Sequence, residues 1–199
     1  MHNRHPLAQL PRDLPRTLRW SSAAPHGNLF LLHPTHAVNG APPIARIARL
    51  TTGELHGSLG TTAVRIGFAG RRHPRLRLTI DEGREGQHLP DLAGFAPDWS
   101  GLGPLETGDG VRYTWTRGAW STGGALIRDA AGAEVVRLQR TGDLDNPGAL
   151  VDIYGTLPDG HAAALTLLGW AVLLQELSGP DQPLLLRGRR AELGDGEWM

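Results

Sequence analysis

Four arginines crowd one short stretch, Arg71-Arg72-His73-Pro74-Arg75-Leu76-Arg77. A guanidinium group is planar and binds phosphate or carboxylate oxygens in pairs, so clustered arginines are a natural seat for an anion. From Arg75 the chain alternates. Leu76, Leu78 and Ile80 point one way and Arg75, Arg77 and Thr79 the other, the pattern of a strand with one buried and one wet face. Arg75 and Arg77 would then stand about 7 Å apart on the wet face. The candidate ligand-binding set is therefore Arg71, Arg72, Arg75 and Arg77, directed at a lipid headgroup or another anion. The competing reading is a solvated strand face balanced by Asp81, Glu82 and Glu85.

Other residue patterns carry less chemistry. His2 and His5, and again His33 and His36, stand three apart, but both pairs lie beside proline with no carboxylate at ligand spacing. A zinc centre needs three or four ligands with outer support, so these read as solvated loop histidines and no metal is expected. Gly57-Ser58-Leu59-Gly60 and Ser121-Thr122-Gly123-Gly124 fail the G-x-S-x-G nucleophile pattern and read as turns. Gly101-Leu102-Gly103-Pro104 lacks the third glycine and the strand–helix setting of a dinucleotide loop. No catalytic residue and no cofactor is expected.

All 20 basic residues are arginine, matched by 20 acidic ones, so the formal charge is zero. That balance gives no general pull toward nucleic acid. The absence of lysine, with 27 Gly and 15 Pro, fits a GC-rich coding bias. The absence of cysteine excludes disulfides and thiolate chemistry and fits a reducing, cytoplasmic setting. The N-terminus shows no apolar signal segment. The most apolar stretch, Ala162 to Leu174, falls short of the roughly 20 residues that span a bilayer, so an integral membrane protein is not expected.

The elements that must position these side chains are mostly short strands. Residues 1–26 hold four prolines and read as an irregular lead-in, with a short strand near Leu18-Arg19-Trp20. Candidate strands follow at 29–33, 44–50, 61–69 and 75–80, and again at 111–116, 124–128, 133–140 and 149–154. Asp129-Ala130-Ala131-Gly132 is a plausible hairpin connection. Residues 83–110, rich in Gly, Pro and acidic groups, read as a long flexible insert, with a functional lid, or the contact loop of an interaction module, as the alternatives. Residues 160–178 form one helix, apolar on every face, with Asp159 as N-cap and Gly179-Pro180 as the stop. At ~1.5 Å per residue it spans about 27 Å, enough to thread a small barrel. Trp115 and Trp170 belong to the core, while Trp99 and Trp120 lie among glycines and are packed aromatics or a ligand mouth. Leu184-Leu185-Leu186 suggests an edge strand, and residues 188–199 an exposed tail. The domain proper spans 27–187.

The aromatic strand Tyr113-Thr114-Trp115, the hairpin from Ile127-Arg128-Asp129 through Gly132-Ala133-Glu134-Val135-Val136, and the closing apolar helix come in an order that resembles the tubby-like superfamily. That group includes phospholipid scramblases and plant LURP-one-related proteins. The likeness covers roughly residues 28–178 and implies a closed antiparallel barrel around a central hydrophobic C-terminal helix. A β-sandwich with a packed helix is the alternative. The chain departs from the scramblases in lacking cysteine clusters. Asp143-Leu144-Asp145-Asn146 echoes their calcium segment, but Pro147 and Gly148 follow, so it reads as a turn. Some twenty residues also follow the helix, where the family usually ends. The expected function is non-enzymatic binding of an anionic lipid headgroup or other amphipathic ligand. A structural or protein-interaction module is the alternative, and an enzyme with a site assembled from distant residues is third.

Overall fold

Period-two alternation of apolar and polar side chains runs through most of this chain, and a strand so patterned must lay its apolar face on something. In the computed structural model, which describes residues 6–23, 28–38, 40–50, 54–69, 75–81, 91–97, 102–117, 123–143 and 145–177, that something is a single helix. The strands are β1 (Thr17–Ser22), β2 (Leu29–Pro34), β3 (Ala45–Arg49), β4 (Leu55–Leu59), β5 (Thr62–Ala69) and β6 (Arg75–Ile80). They continue as β7 (Asp91–Phe95), β8 (Gly103–Thr107), β9 (Arg112–Arg117), β10 (Gly124–Arg128), β11 (Glu134–Gly142) and β12 (Pro147–Ile153), before helix α1 (His161–Leu177). Each strand pairs antiparallel with its sequence neighbours, and β1 pairs with β12, which closes the barrel. The β-sandwich alternative is excluded, because closure leaves no second sheet.

Inward faces are apolar: Leu18 and Trp20 on β1, Leu76 and Leu78 on β6, Val136 and Leu138 on β11 are all buried. Outward faces carry Arg19, Arg46, Arg65 and Arg137 among others, the reverse of a barrel that meets lipid tails with its outer wall. Helix α1 is buried from His161 through Leu174, as an all-round apolar helix requires. Trp170 stacks on Trp20 with ring centroids 5.3 Å apart and meets Phe30 edge-on at 5.5 Å, while Trp115 packs against Phe95. Trp115 and Trp170 stand where sequence placed them, and Trp20 joins them in the core. Among the described residues no helix is long and apolar enough to cross a bilayer.

The up-and-down order sorts the connections between two ends. The start of α1, the β4–β5 turn and the β8–β9 turn share one end, here the proximal end. Segment 6–16 covers it. A 3-10 turn, Pro6–Gln9, buries Leu7, Leu10 is buried beside it, Thr62 Oγ1 donates to the Gln9 carbonyl at 2.7 Å, and Arg12 pairs with Asp159 at 3.1 Å.

Four expectations change. Residues 83–110 are not a structureless insert, for β7 and β8 are full staves of the barrel. Their alternation is hidden by Gly94, Pro97 and Gly103 and by a bulge between β6 and β7 that leaves Leu92 and Ala93 both buried. The lead-in read at 1–26 contributes β1, so the barrel begins at Thr17 rather than at residue 27. The supposed turn at 57–60 is largely strand β4; a Cβ on Gly57 would fall 1.9 Å from the Arg46 carbonyl oxygen, so this stave needs the glycine that disguises it. The helix cap is Gly160, not Asp159: its carbonyl accepts from Ala164 at 3.0 Å, and its φ of 79° suits glycine. Leu184–Leu186, the 188–199 tail, Gly179-Pro180, Trp99 and Trp120 lie outside the described residues.

Candidate functional site

Strand β6 carries two of the candidate arginines, Arg75 and Arg77. Arg75 heads β6 opposite Ala69, is exposed, and has no partner among the described residues. Arg77, two residues on, donates from Nε to Asp91 Oδ2 at 2.8 Å. Asp91 belongs to the segment read as an insert, and the β6–β7 register brings it beside this face. Arg71 and Arg72 lie outside the described residues. Of the two described members of the set, Arg75 stands without a partner and Arg77 is neutralised.

Among the described residues most other arginines are likewise engaged. Arg65 reaches both oxygens of Glu54 at 2.8 Å, Arg112 pairs with Glu106 at 3.3 Å, and Arg137 pairs with Glu134 at 2.7 Å and lies over the Tyr154 ring. Arg16 donates to the carbonyls of Ile153 and Gly155, and Arg128 to that of Gly132. Among the described residues, Arg19, Arg46, Arg75 and Arg140 have no hydrogen-bond or ion-pair partner.

A second constellation, which sequence reading missed, sits at the proximal end. The β8–β9 turn presents Asp109, β9 presents Tyr113 inward, and α1 opens with His161, only 1 % exposed. Tyr113 Oη lies 2.7 Å from His161 Nδ1, and His161 Nε2 lies 2.9 Å from Asp109 Oδ2. Thr107 Oγ1 donates to Asp109 Oδ1 at 2.6 Å. Burial, reinforced by the charges of Asp109 and Asp129, pushes the Tyr113 phenol up to about 12. The phenol therefore keeps its proton and donates to Nδ1, which leaves Nε2–H to donate to Asp109. Burial pushes the Asp109 carboxyl up, but hydrogen bonds from Thr107 and His161 outweigh it and hold the group below its ordinary value. An acid, an imidazole and a hydroxyl in line have the form of a nucleophile relay. Here the hydroxyl is buried, and the line ties α1 to the β8–β9 turn. The only sequence signals were a polar His opening an apolar helix and an Asp-Gly turn, far apart in the chain.

A third cluster lies on the outer wall. His56 on β4 stands 3.4 Å from Glu54 Oε2 and 3.5 Å from Asp81 Oδ2. Burial raises the Glu54 carboxyl, yet hydrogen bonds from Arg65 and His56 bring it below its ordinary value. His33 lies half-buried on β2 and His36 in the exposed connection beyond it. Among the described residues no group of three His, Asp or Glu is arranged to hold a metal ion. The Asp143 segment is a turn: its Oδ1 accepts from the Asp145 and Asn146 amides at 3.0 and 2.7 Å. Comparison with family models, with curated proteins and with solved structures returned no match.

Proposed function

We propose that this chain is a non-catalytic binding protein of tubby-like architecture that recognises an anionic ligand, a lipid headgroup first among them, on the outside of a filled barrel. One observation carries the reading: α1 and the inward side chains occupy the barrel axis, whereas Arg19, Arg46, Arg75 and Arg140 stand without counter-charges. An arginine whose charge nothing in the fold satisfies is available to phosphate. The closed barrel around an apolar helix is the architecture that the family resemblance implies, which supports the likeness. Among the described residues the buried Tyr113–His161–Asp109 line supports the non-catalytic reading through its enclosure, Tyr113 being 3 % and His161 1 % exposed. A cytoplasmic setting belongs to the same proposal.

Co-sedimentation with vesicles of phosphatidylcholine alone, and of phosphatidylcholine mixed with phosphatidylserine, tests it at low and moderate salt. Binding should favour the anionic vesicles and weaken with salt, because exposed charges are screened over about 8–10 Å near physiological ionic strength. Indifference to lipid charge overturns the proposal, and the protein-interaction module then leads.

A further inference from the structure

From residue 14 through residue 53 the chain contains neither aspartate nor glutamate, although Arg16, Arg19, Arg46 and Arg49 fall within it. In a chain whose charges balance overall, the tertiary structure makes this gap matter. The segment supplies β1, β2 and β3, three adjacent staves, so the gap in sequence becomes a continuous wall without carboxylates. Its outward residues include Arg19 on β1, Leu29, Leu31 and His33 on β2, and Arg46 on β3. Register sets Arg19 opposite His33 and Arg46 opposite Leu31, so the two free guanidinium carriers flank the β2 row on a diagonal, their Cα atoms about 12 Å apart. Of the carboxylates beyond the wall, Glu54 is held by Arg65, and Asp152 lies on β12 opposite Thr17 at the edge of β1.

The same stretch exposes apolar side chains. Leu29 is 40 % exposed, Leu50 41 % and Val38 82 %, which leaves Val111 as the only other large exposed apolar residue described. Leu29 and Leu50 lie toward the distal end and Val38 beyond the proximal end of β2, so apolar groups mark both ends of one wall. A barrel wall is convex and touches a plane along a line parallel to its strands. On this wall the line runs along β2, with arginines to either side and apolar groups at its ends.

We infer that the β1–β3 wall is the face by which the protein lies against an anionic lipid surface, an inference that rests on the binding reading above and says where the contact is. Arginine pairs with phosphodiester oxygens, exposed apolar groups sink into the headgroup boundary, and no carboxylate repels the lipid charge. A second copy of this wall is a poor occupant, since it would bring like charges together.

The chain's lack of cysteine makes the test direct. Single-cysteine variants Ala48→Cys, on β3, and Thr114→Cys, on β9 across the barrel, are labelled with a polarity-sensitive fluorophore and mixed with phosphatidylserine-containing vesicles. The label at 48 should shift to the blue and that at 114 should not. The double variant R19Q/R46Q should bind these vesicles roughly 10- to 30-fold more weakly. R112Q/R128Q, which removes the same charge from the far side, should stay within about twofold of wild type by that arithmetic. Thermal melts confirm that each variant is folded. A blue shift at 114 rather than 48, or equal losses for the two double variants, overturns the wall while leaving lipid binding standing. So does a loss confined to R75Q/R140Q. Failure of the wild type to prefer anionic vesicles overturns the binding reading itself.

Discussion

His161 meets a partner at each ring nitrogen, Tyr113 at Nδ1 and Asp109 at Nε2, and that satisfaction lets a titratable group open a buried helix. The phenol gives this line a measurable signature. Its proton is held to about pH 12 in the fold, against about 10 in an unfolded chain. A folded value above the unfolded one means that the stabilisation is complete below pH 10 and is lost as pH rises toward 12. The chain has two tyrosines, Tyr113 and Tyr154, so Tyr154→Phe leaves one reporter. Ultraviolet titration of that variant should show phenolate only well above pH 10, and its stability should fall across the same window. Ionisation near 10 without unfolding would mean that the phenol is not enclosed as described.

At the scale of elements, the question is what starts α1. Asp159 precedes the helix and has the chemistry of a cap, yet its carboxylate pairs with Arg12 while both side chains stay more than half exposed. Gly160 holds the capping position in a left-handed conformation, and a Cβ there would fall 2.2 Å from the Leu7 carbonyl oxygen. The two neighbours should therefore respond very differently to alanine. Asp159→Ala removes an exposed ion pair and should cost at most about 1 kcal/mol. Gly160→Ala should cost about 1–3 kcal/mol for its φ alone, and more because the 3-10 turn must move aside. Chemical denaturation of both variants decides it; equal losses would return the cap to Asp159.

Across the whole molecule, closure rests on β1. It bonds β12 on one side and β2 on the other, and its Trp20 supplies the face on which Trp170 stacks. Deleting residues 1–22 would bare two strand edges at once, the situation that natural sheets avoid because open edges recruit other chains. The truncated protein should aggregate and lose its cooperative melt, as seen by size exclusion and calorimetry. A monomer melting like the full chain would show that the barrel holds without its first stave. The acid-free wall depends on the same strand, so folding and proposed binding share a part.

What the sequence determined by itself was the burial of faces. Alternation in β6 and β9 and the unbroken apolar surface of α1 each state which side must leave water, and that preference is local. It was enough for a mainly-β fold, a buried helix, the core places of Trp115 and Trp170, and the Asp129 hairpin, whose side chain accepts from the Ala131 and Ala133 amides. It missed β4, β7 and β8, where glycine and a bulge interrupt the period. It also placed Arg77 on a wet face without seeing Asp91 arrive beside it. Partners were the tertiary structure's to decide. Tyr113 and His161 are 48 residues apart, and the β1–β12 seam joins the two extremes of the strand order, so neither contact leaves a periodic trace. The charge gap from residue 14 to 53 lay open in the sequence, but only three adjacent staves turn it into a surface. Periodicity specifies which face a strand buries; pairing over long separations, set by register and closure, specifies what each exposed face lies beside.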